Sequence, residues 1–217
     1  DLLKNVPLTS VLGDQQAALF GQNCINSGDV KNTYGTGCFA LTNTGNEIVY
    51  SNNGLLSTVA YQKDGDNPQY ALEGSVSIAG AAVQWLRDNL NIIENSEDIE
   101  SLAMSVKDNG DVYFVPAFSG LFSPHWDETA RGVLVGLSRF SNKSHIARAV
   151  LESVAYQSNE LLESMEKDIG TTFDTVNVDG GMVVNNLLMQ FQSDIFDKKV
   201  TSQKINEITA LGAGAAL

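Results

Sequence analysis

Three short stretches carry residue types and spacings suited to work on an anionic group. Gly13-Asp14-Gln15-Gln16 follows an apolar run, Val6–Leu12, and precedes a helical pattern. A carboxylate beyond the carboxyl end of a strand can take a proton or hold a cation, while an Asp ahead of a helix can equally serve as its cap. Tyr34-Gly35-Thr36-Gly37-Cys38-Phe39 sets a Thr hydroxyl between two glycines. Such a loop lets backbone N–H groups approach a phosphate closely, and the same residues also suit an ordinary hairpin turn. Asp179-Gly180-Gly181, with Asn185 and Asn186 following, stands between a strand and a helix. There it either faces N–H groups and a helix dipole towards an anion or supplies a tight turn.

Gly13–Gln16, Tyr34–Phe39, Gly80–Gln84 and Asp179–Asn185 contain no Lys or Arg. A phosphate held by these residues must rely on backbone donors, hydroxyls and a divalent cation. A P-loop, whose Gly-rich stretch ends in Lys, does not occur. The two histidines have no partner at ligand or catalytic spacing, so His125 and His145 are read as structural. Trp85 and Trp126 are read as packing anchors, and the charge run Glu94–Glu100 as a solvated face.

The elements that must position these stretches follow from periodicity and turn residues. Strands are predicted at Val6–Leu12, Gly54–Gln62, Tyr70–Ser77, Val133–Leu137, Thr175–Val178 and Lys199–Thr201, with a buried strand at Val112–Phe118 and hairpins within Asn32–Thr44. Helices are predicted at Gln15–Asn23, Gly80–Leu90, Ser96–Val106, Ser144–Asp168 and Asn185–Phe196. The longest has Ala147, Leu151, Val154, Leu161 and Met165 on one stripe and ends at Gly170. Strands come first and then alternate with helices, which predicts an α/β fold with a mixed sheet and flanking helices.

Lys and Arg total 13 against 26 Asp and Glu, a formal charge of −13. An acidic surface repels a polyanion, so nucleic acid is not expected as a partner. A local site built from backbone donors and a cation can still hold ATP. The core is expected to be substantial, since 43% of the residues are hydrophobic. Cys24 and Cys38 form neither a disulfide framework nor a zinc pattern and are read as reduced thiols, which suggests a cytoplasmic protein. No apolar stretch is long enough to span a membrane. The chain lacks an initiator Met, and Thr209–Leu217 reads as the opening turns of a helix. Residues 1–217 are therefore expected to be a single nucleotide-binding domain, truncated at both ends.

Taken together, GDQQAALFGQ (Gly13–Gln22), KNTYGTGCF (Lys31–Phe39), YALEG (Tyr70–Gly74), QWLRD (Gln84–Asp88), VPAFSGL (Val115–Leu121), VDGG (Val178–Gly181) and LMQFQSDI (Leu188–Ile195) resemble the carbohydrate kinases that share the actin-like ATPase (ribonuclease H-like) fold. Within them they resemble the glycerol kinases. The resemblance runs in order over nearly the whole chain. It implies ATP-dependent phosphorylation of glycerol to glycerol 3-phosphate with Mg2+. Asp14 would be the general base and help bind the metal, Gln15 would touch the glycerol hydroxyls, and Phe39 would pack on its carbons. Thr36 would contact the phosphates. Gly80, Val83 and Gln84 would line the nucleotide pocket, and Gly181 and Asn185 would hold the phosphates and nucleoside.

An N-terminal domain would supply the rest of the glycerol site, so this chain alone is expected to show no turnover. A homo-oligomer is expected of the full-length enzyme. Leu3-Lys4-Asn5 stands where relatives that respond to fructose bisphosphate carry Gly-x-Arg, so that response is expected to be absent. Another polyol or sugar kinase is the near alternative. A non-enzymatic actin-like module, which would lack GDQQAALFG and Phe39, is a more distant one.

Overall fold

The computed structural model describes residue 4, residues 8–205 and residues 207–216. Leu3, Asn5, Val6, Pro7 and Leu217, which figure in the expectations above, lie outside the described residues. A mixed six-stranded sheet forms the centre. Its strands are β1 (Val30–Tyr34), β2 (Cys38–Gly45), β3 (Leu56–Tyr61), β4 (Gln69–Val76), β7 (Thr175–Asp179) and β8 (Lys199–Ser202), in the order β3-β4-β2-β1-β7-β8. The β1–β2, β2–β4 and β3–β4 pairs are antiparallel, whereas β1–β7 and β7–β8 are parallel. This is the predicted α/β architecture with a mixed sheet and flanking helices.

Both faces of the central strands are covered, so β1 and β2 are buried almost continuously rather than alternately. Val30, Tyr34, Ala40, Leu72, Val176 and Val178 face the large core, which is closed by α2 (Gly80–Asp88), α3 (Asp98–Met104), α4 (Lys143–Ile169) and α5 (Asn186–Phe196). Leu41 and Ala71 face the other way, against Leu19 and Cys24 in a smaller core under α1 (Asp14–Gly21). Helix α6 (Ile208–Ala215) crosses α1 so closely that a Cβ on Gly212 would lie 1.8 Å from the Ala17 carbonyl oxygen.

The long helix α4 matches its predicted stripe. All five stripe residues are buried, and Gly170 ends it at φ 71°. Its start is a capping box, in which Asn142 accepts from the Ser144 N–H while His145 Nδ1 accepts from the Asn142 N–H.

Three expectations are corrected. Leu8–Leu12 is not a strand: it has no sheet neighbour to complete a ladder, and Leu8 and Val11 are exposed. The buried strand at Val112–Phe118 shrinks to β5 (Tyr113–Val115), which pairs only with β6 (Val133–Val135) in a separate ribbon. A two-stranded ribbon lying on a helix has one covered face, so Phe114 is buried while Tyr113 and Val115 are exposed. The helices predicted from Ser96 and to Leu90 are shorter, α3 opening at Asp98 and α2 stopping at Asp88.

Candidate active site

The β1–β2 hairpin folds its tip onto the start of α2. The Thr36 carbonyl accepts from the Ala79 and Ala81 N–H groups at 2.8 and 3.1 Å, and the Gly35 carbonyl accepts from the Gly80 N–H at 3.0 Å. Approach this close leaves no room at Gly80, where a Cβ would lie 2.6 Å from the Gly35 oxygen. Parallel pairing of Thr33 with Asp179 brings the Asp-Gly-Gly turn beside the same tip. Beyond the turn, a 3-10 helix (Gly181–Val184) leads into α5, whose N-cap is Asn185, accepting from the Leu188 N–H at 2.8 Å.

These elements enclose a cavity of about 330 Å³. Thr36, Gly80, Val83, Gln84, Gly181 and Asn185, the six residues expected to hold the nucleotide, all line it. Two glycines on its wall, Gly35 and Gly181, are not demanded by packing. A Cβ on Gly35 would meet only a neighbouring carbonyl at 3.8 Å, and one on Gly181 would meet nothing. Glycines whose missing side chains open onto a cavity suit a ligand that approaches the backbone. The wall opposite is α3, with Ile99, Glu97 and Glu100. Glu94 and Glu97 are exposed, as a solvated face requires, but Glu100 departs from that reading: it is half-buried and accepts from the Leu187 N–H at 3.0 Å, tying α3 to α5. Nothing in the local charge pattern distinguished Glu100 from a surface carboxylate.

Asp14, Gln15 and Phe39 form a second group on the α1 face of the sheet. Asp14 is the first residue of α1 and exposed, and the N-cap is Gly13. The capping alternative for Asp14 therefore falls away, since its Oδ1 accepts only from the adjoining Gln15 N–H at 2.8 Å. Phe39 is half-buried on the hairpin three residues past Thr36, so one hairpin joins both groups.

Between them lies a residue that the cation-free windows did not suggest. Lys31 is fully buried on β1. Its ammonium donates to Gln15 Oε1, to Thr33 Oγ1 at 3.0 Å and to the Phe39 carbonyl at 3.1 Å. Across the sheet Lys31 pairs with Leu41 and Leu41 with Glu73, placing the Lys and Glu on one row of one face. Burial also raises the Glu73 carboxyl above its ordinary value, against the pull of Lys31. Gln22, at the end of α1, clamps Asp179 from the same side at 2.8 Å. Lys31 stands next to the Asn-Thr-Tyr-Gly stretch, and a Lys at an inward-facing position of a central strand was the available signal.

Burial pushes the Lys31 ammonium down from 10.5 to about 8, with the Asp179 and Glu73 carboxylates opposing the fall. Between those values the native chain binds fewer protons than the unfolded chain, so this group's contribution to stability rises with pH across that window. Below it, the full cost of the buried charge applies. Lys31→Met removes the titration. The stability of this variant minus that of the wild type is therefore expected to fall as pH climbs from about 8 to about 10, by up to about 1.4 kcal/mol per pH unit. Urea unfolding of both proteins across that range checks this; parallel curves would show that Lys31 titrates normally.

The remaining candidates keep structural roles. His145 completes the α4 cap, and His125 pairs with Glu160 at the surface. Trp85 stacks on Phe114, and Trp126 donates to the Gly54 carbonyl. Both cysteines are free and buried, with thiols pushed up to about 12 by burial. Among the described residues no helix is long and apolar enough to cross a membrane.

Residues 30–216 match the model of the FGGY family of carbohydrate kinases, C-terminal domain. The chain is 64% identical over 214 residues to a glycerol kinase of Brucella anthropi, covering 99% of this chain and 43% of the relative. It is 60% identical over 216 residues to one of Methylorubrum populi, again 43% of that protein. The chain thus spans less than half of these relatives. Among solved structures, glycerol kinase of Plasmodium falciparum with ADP superposes with a TM-score of 0.91 at 42% identity, over 98% of this chain and 42% of that one. A xylulose kinase of Lactobacillus acidophilus shares the fold, with a TM-score of 0.80 at 23% identity over 92% of this chain and 40% of its own. A mixed sheet in this order, a neighbouring fold among carbohydrate kinases and a family match from β1 to α6 lead to one conclusion: the chain belongs to the FGGY family of carbohydrate kinases, as their C-terminal domain with the actin-like ATPase fold.

Proposed function

We propose that the protein carrying this domain phosphorylates glycerol at a terminal hydroxyl with ATP, yielding glycerol 3-phosphate and ADP. The observation that carries the reading is the convergence of six residues, drawn from windows nearly 150 residues apart, on one cavity at the tip of the hairpin. Glu97 and Glu100 on the α3 wall would repel phosphates. The nucleoside therefore lies against α3, and the phosphates run past Gly181 and Thr36 towards Asp14. Transfer needs an oriented acceptor, charge neutralisation and a base. Asp14 takes the proton from the attacking hydroxyl as the new O–P bond forms and the bond to the ADP oxygen breaks. Gln15 hydrogen-bonds a glycerol hydroxyl, and Phe39 packs on the carbons.

Mg2+ binds such sites through one or two carboxylates together with substrate phosphates and water, and the exposed Asp14 carboxylate fits that donor set. Bound there, the ion would offset the charge of the transferring phosphates. The partner we expect is an N-terminal domain, in the part of the longer relatives that this chain does not span, closing the other side of the cleft. Buried thiols and an acidic surface suit a cytoplasmic enzyme without nucleic-acid partners, and we expect it to self-associate at full length.

The test is ADP production by the two-domain enzyme on glycerol, xylulose and gluconate, and by residues 1–217 alone. Turnover on glycerol by the two-domain enzyme only is the expected result. Preference for a sugar would move the assignment to another kinase of the family. ATP binding without turnover on any of them would favour a non-enzymatic nucleotide-binding module.

A further inference from the structure

The buried ammonium of Lys31 bears on how the acceptor is recognised. It has three N–H donors and meets three acceptors, namely Gln15 Oε1, Thr33 Oγ1 and the Phe39 carbonyl. An ammonium cannot accept, so the Gln15 atom facing it is the carbonyl oxygen. Turning the amide over would set an NH2 group against the NH3+ and leave one buried donor unpaired, which is costly in a site closed to water. Lys31 is fully buried and cannot recruit solvent instead. The free end of Gln15 is thus its NH2 group, a donor only, one residue from Asp14, whose carboxylate is an acceptor only. The same ammonium holds the carbonyl of Phe39, so two of the three residues expected at the glycerol site on this chain hang from one side chain.

We propose that Lys31 is a positioning residue that fixes the Gln15 amide as an obligate hydrogen-bond donor. The acceptor substrate is then read by a hydroxyl oxygen that takes a proton from Gln15, while the reacting hydroxyl gives its own to Asp14. Two hydroxyls, one read as acceptor and one as donor, define the ligand as a polyol rather than a simple alcohol. This rests on the reading above in which Gln15 touches glycerol, and it adds the direction of that hydrogen bond and the residue that sets it.

The test uses the two-domain enzyme, with KM measured separately for glycerol and ATP. Gln15→Ala is expected to raise the glycerol KM about tenfold, the effect of one lost hydrogen bond, and to leave the ATP KM unchanged. Gln15→Glu keeps the partner of Lys31 but offers a second acceptor where the NH2 stood, so it is expected to raise the glycerol KM at least as much. Lys31→Met should raise it in the wild-type background and add little to Gln15→Ala, because it acts through the same side chain. A Gln15→Glu enzyme with wild-type glycerol KM would mean that Gln15 presents its oxygen, and it would overturn the proposal even if Lys31→Met does not fold. Additive effects of Lys31→Met and Gln15→Ala would overturn the role of Lys31 alone. An unchanged glycerol KM in Gln15→Ala would remove Gln15 from the glycerol site, and absence of glycerol turnover in the wild type would remove the kinase reading itself.

Discussion

Asp14→Asn in the two-domain enzyme is expected to lower kcat for glycerol by about 10²–10⁴-fold, the range that a positioned general base contributes. The carboxamide can still accept from the Gln15 N–H, as Asp14 Oδ1 does at 2.8 Å, so α1 should start as before. It cannot take a proton from an alcohol, and it is a poor ligand for Mg2+. The side chain is exposed and packs in neither core, so the fold should tolerate the change. Steady-state ADP production, with urea unfolding run in parallel, measures both halves of this statement. A variant within a few-fold of wild-type kcat would reduce Asp14 to a favourable charge in the first turn of a helix.

The two glycines of the Asp-Gly-Gly turn are expected to fail in opposite ways. Gly180 has φ 95°, and a Cβ there would lie 2.4 Å from the Tyr34 oxygen and 2.9 Å from its nitrogen. These are backbone atoms of the central strand β1 and cannot move aside. Gly180→Ala combines a glycine-only conformation with a backbone clash and is expected to cost about 2–6 kcal/mol of stability. Gly181 carries no such constraint, because a Cβ there meets nothing within 4 Å. Gly181→Ala is expected to change stability by no more than about 0.5 kcal/mol while raising the ATP KM about tenfold or more, since the added methyl group would stand on the wall of the cavity that we propose holds the nucleotide. Urea midpoints and ATP kinetics on the two variants separate the roles. Equal destabilisation, or an unchanged ATP KM in Gly181→Ala, would show that the turn serves the fold alone.

Much of the fold was legible because its signals are local. Helix α4 announces itself by a stripe of residues three and four apart and a glycine at its end, and each hydrogen bond in it spans four residues. The hairpin and the Asp-Gly-Gly turn are marked by glycines whose geometry depends on a few neighbours. The chemistry-bearing stretches could be picked out for the same reason, and six of the residues named from them line one cavity.

What escaped the reading depends on pairing between distant strands. Thr33 meets Asp179, and Lys31 lies on the row that ends at Glu73, through register that no short window contains. A lysine among polar residues looks like a surface charge until β1 is known to lie inside the sheet with α1 above it. Glu100 likewise reads as solvated until α3 is seen to close the cavity, and Val6–Leu12 reads as a strand although its described residues, Leu8–Leu12, pair with no other strand. Periodicity and turn chemistry sufficed for the elements and the motifs. Which carboxylates line the cavity, which cation is buried beneath α1, and which partners that cation meets were settled by strand register and burial. Burial is the physical reason, because it withdraws water and so compels each polar group to find a fixed partner.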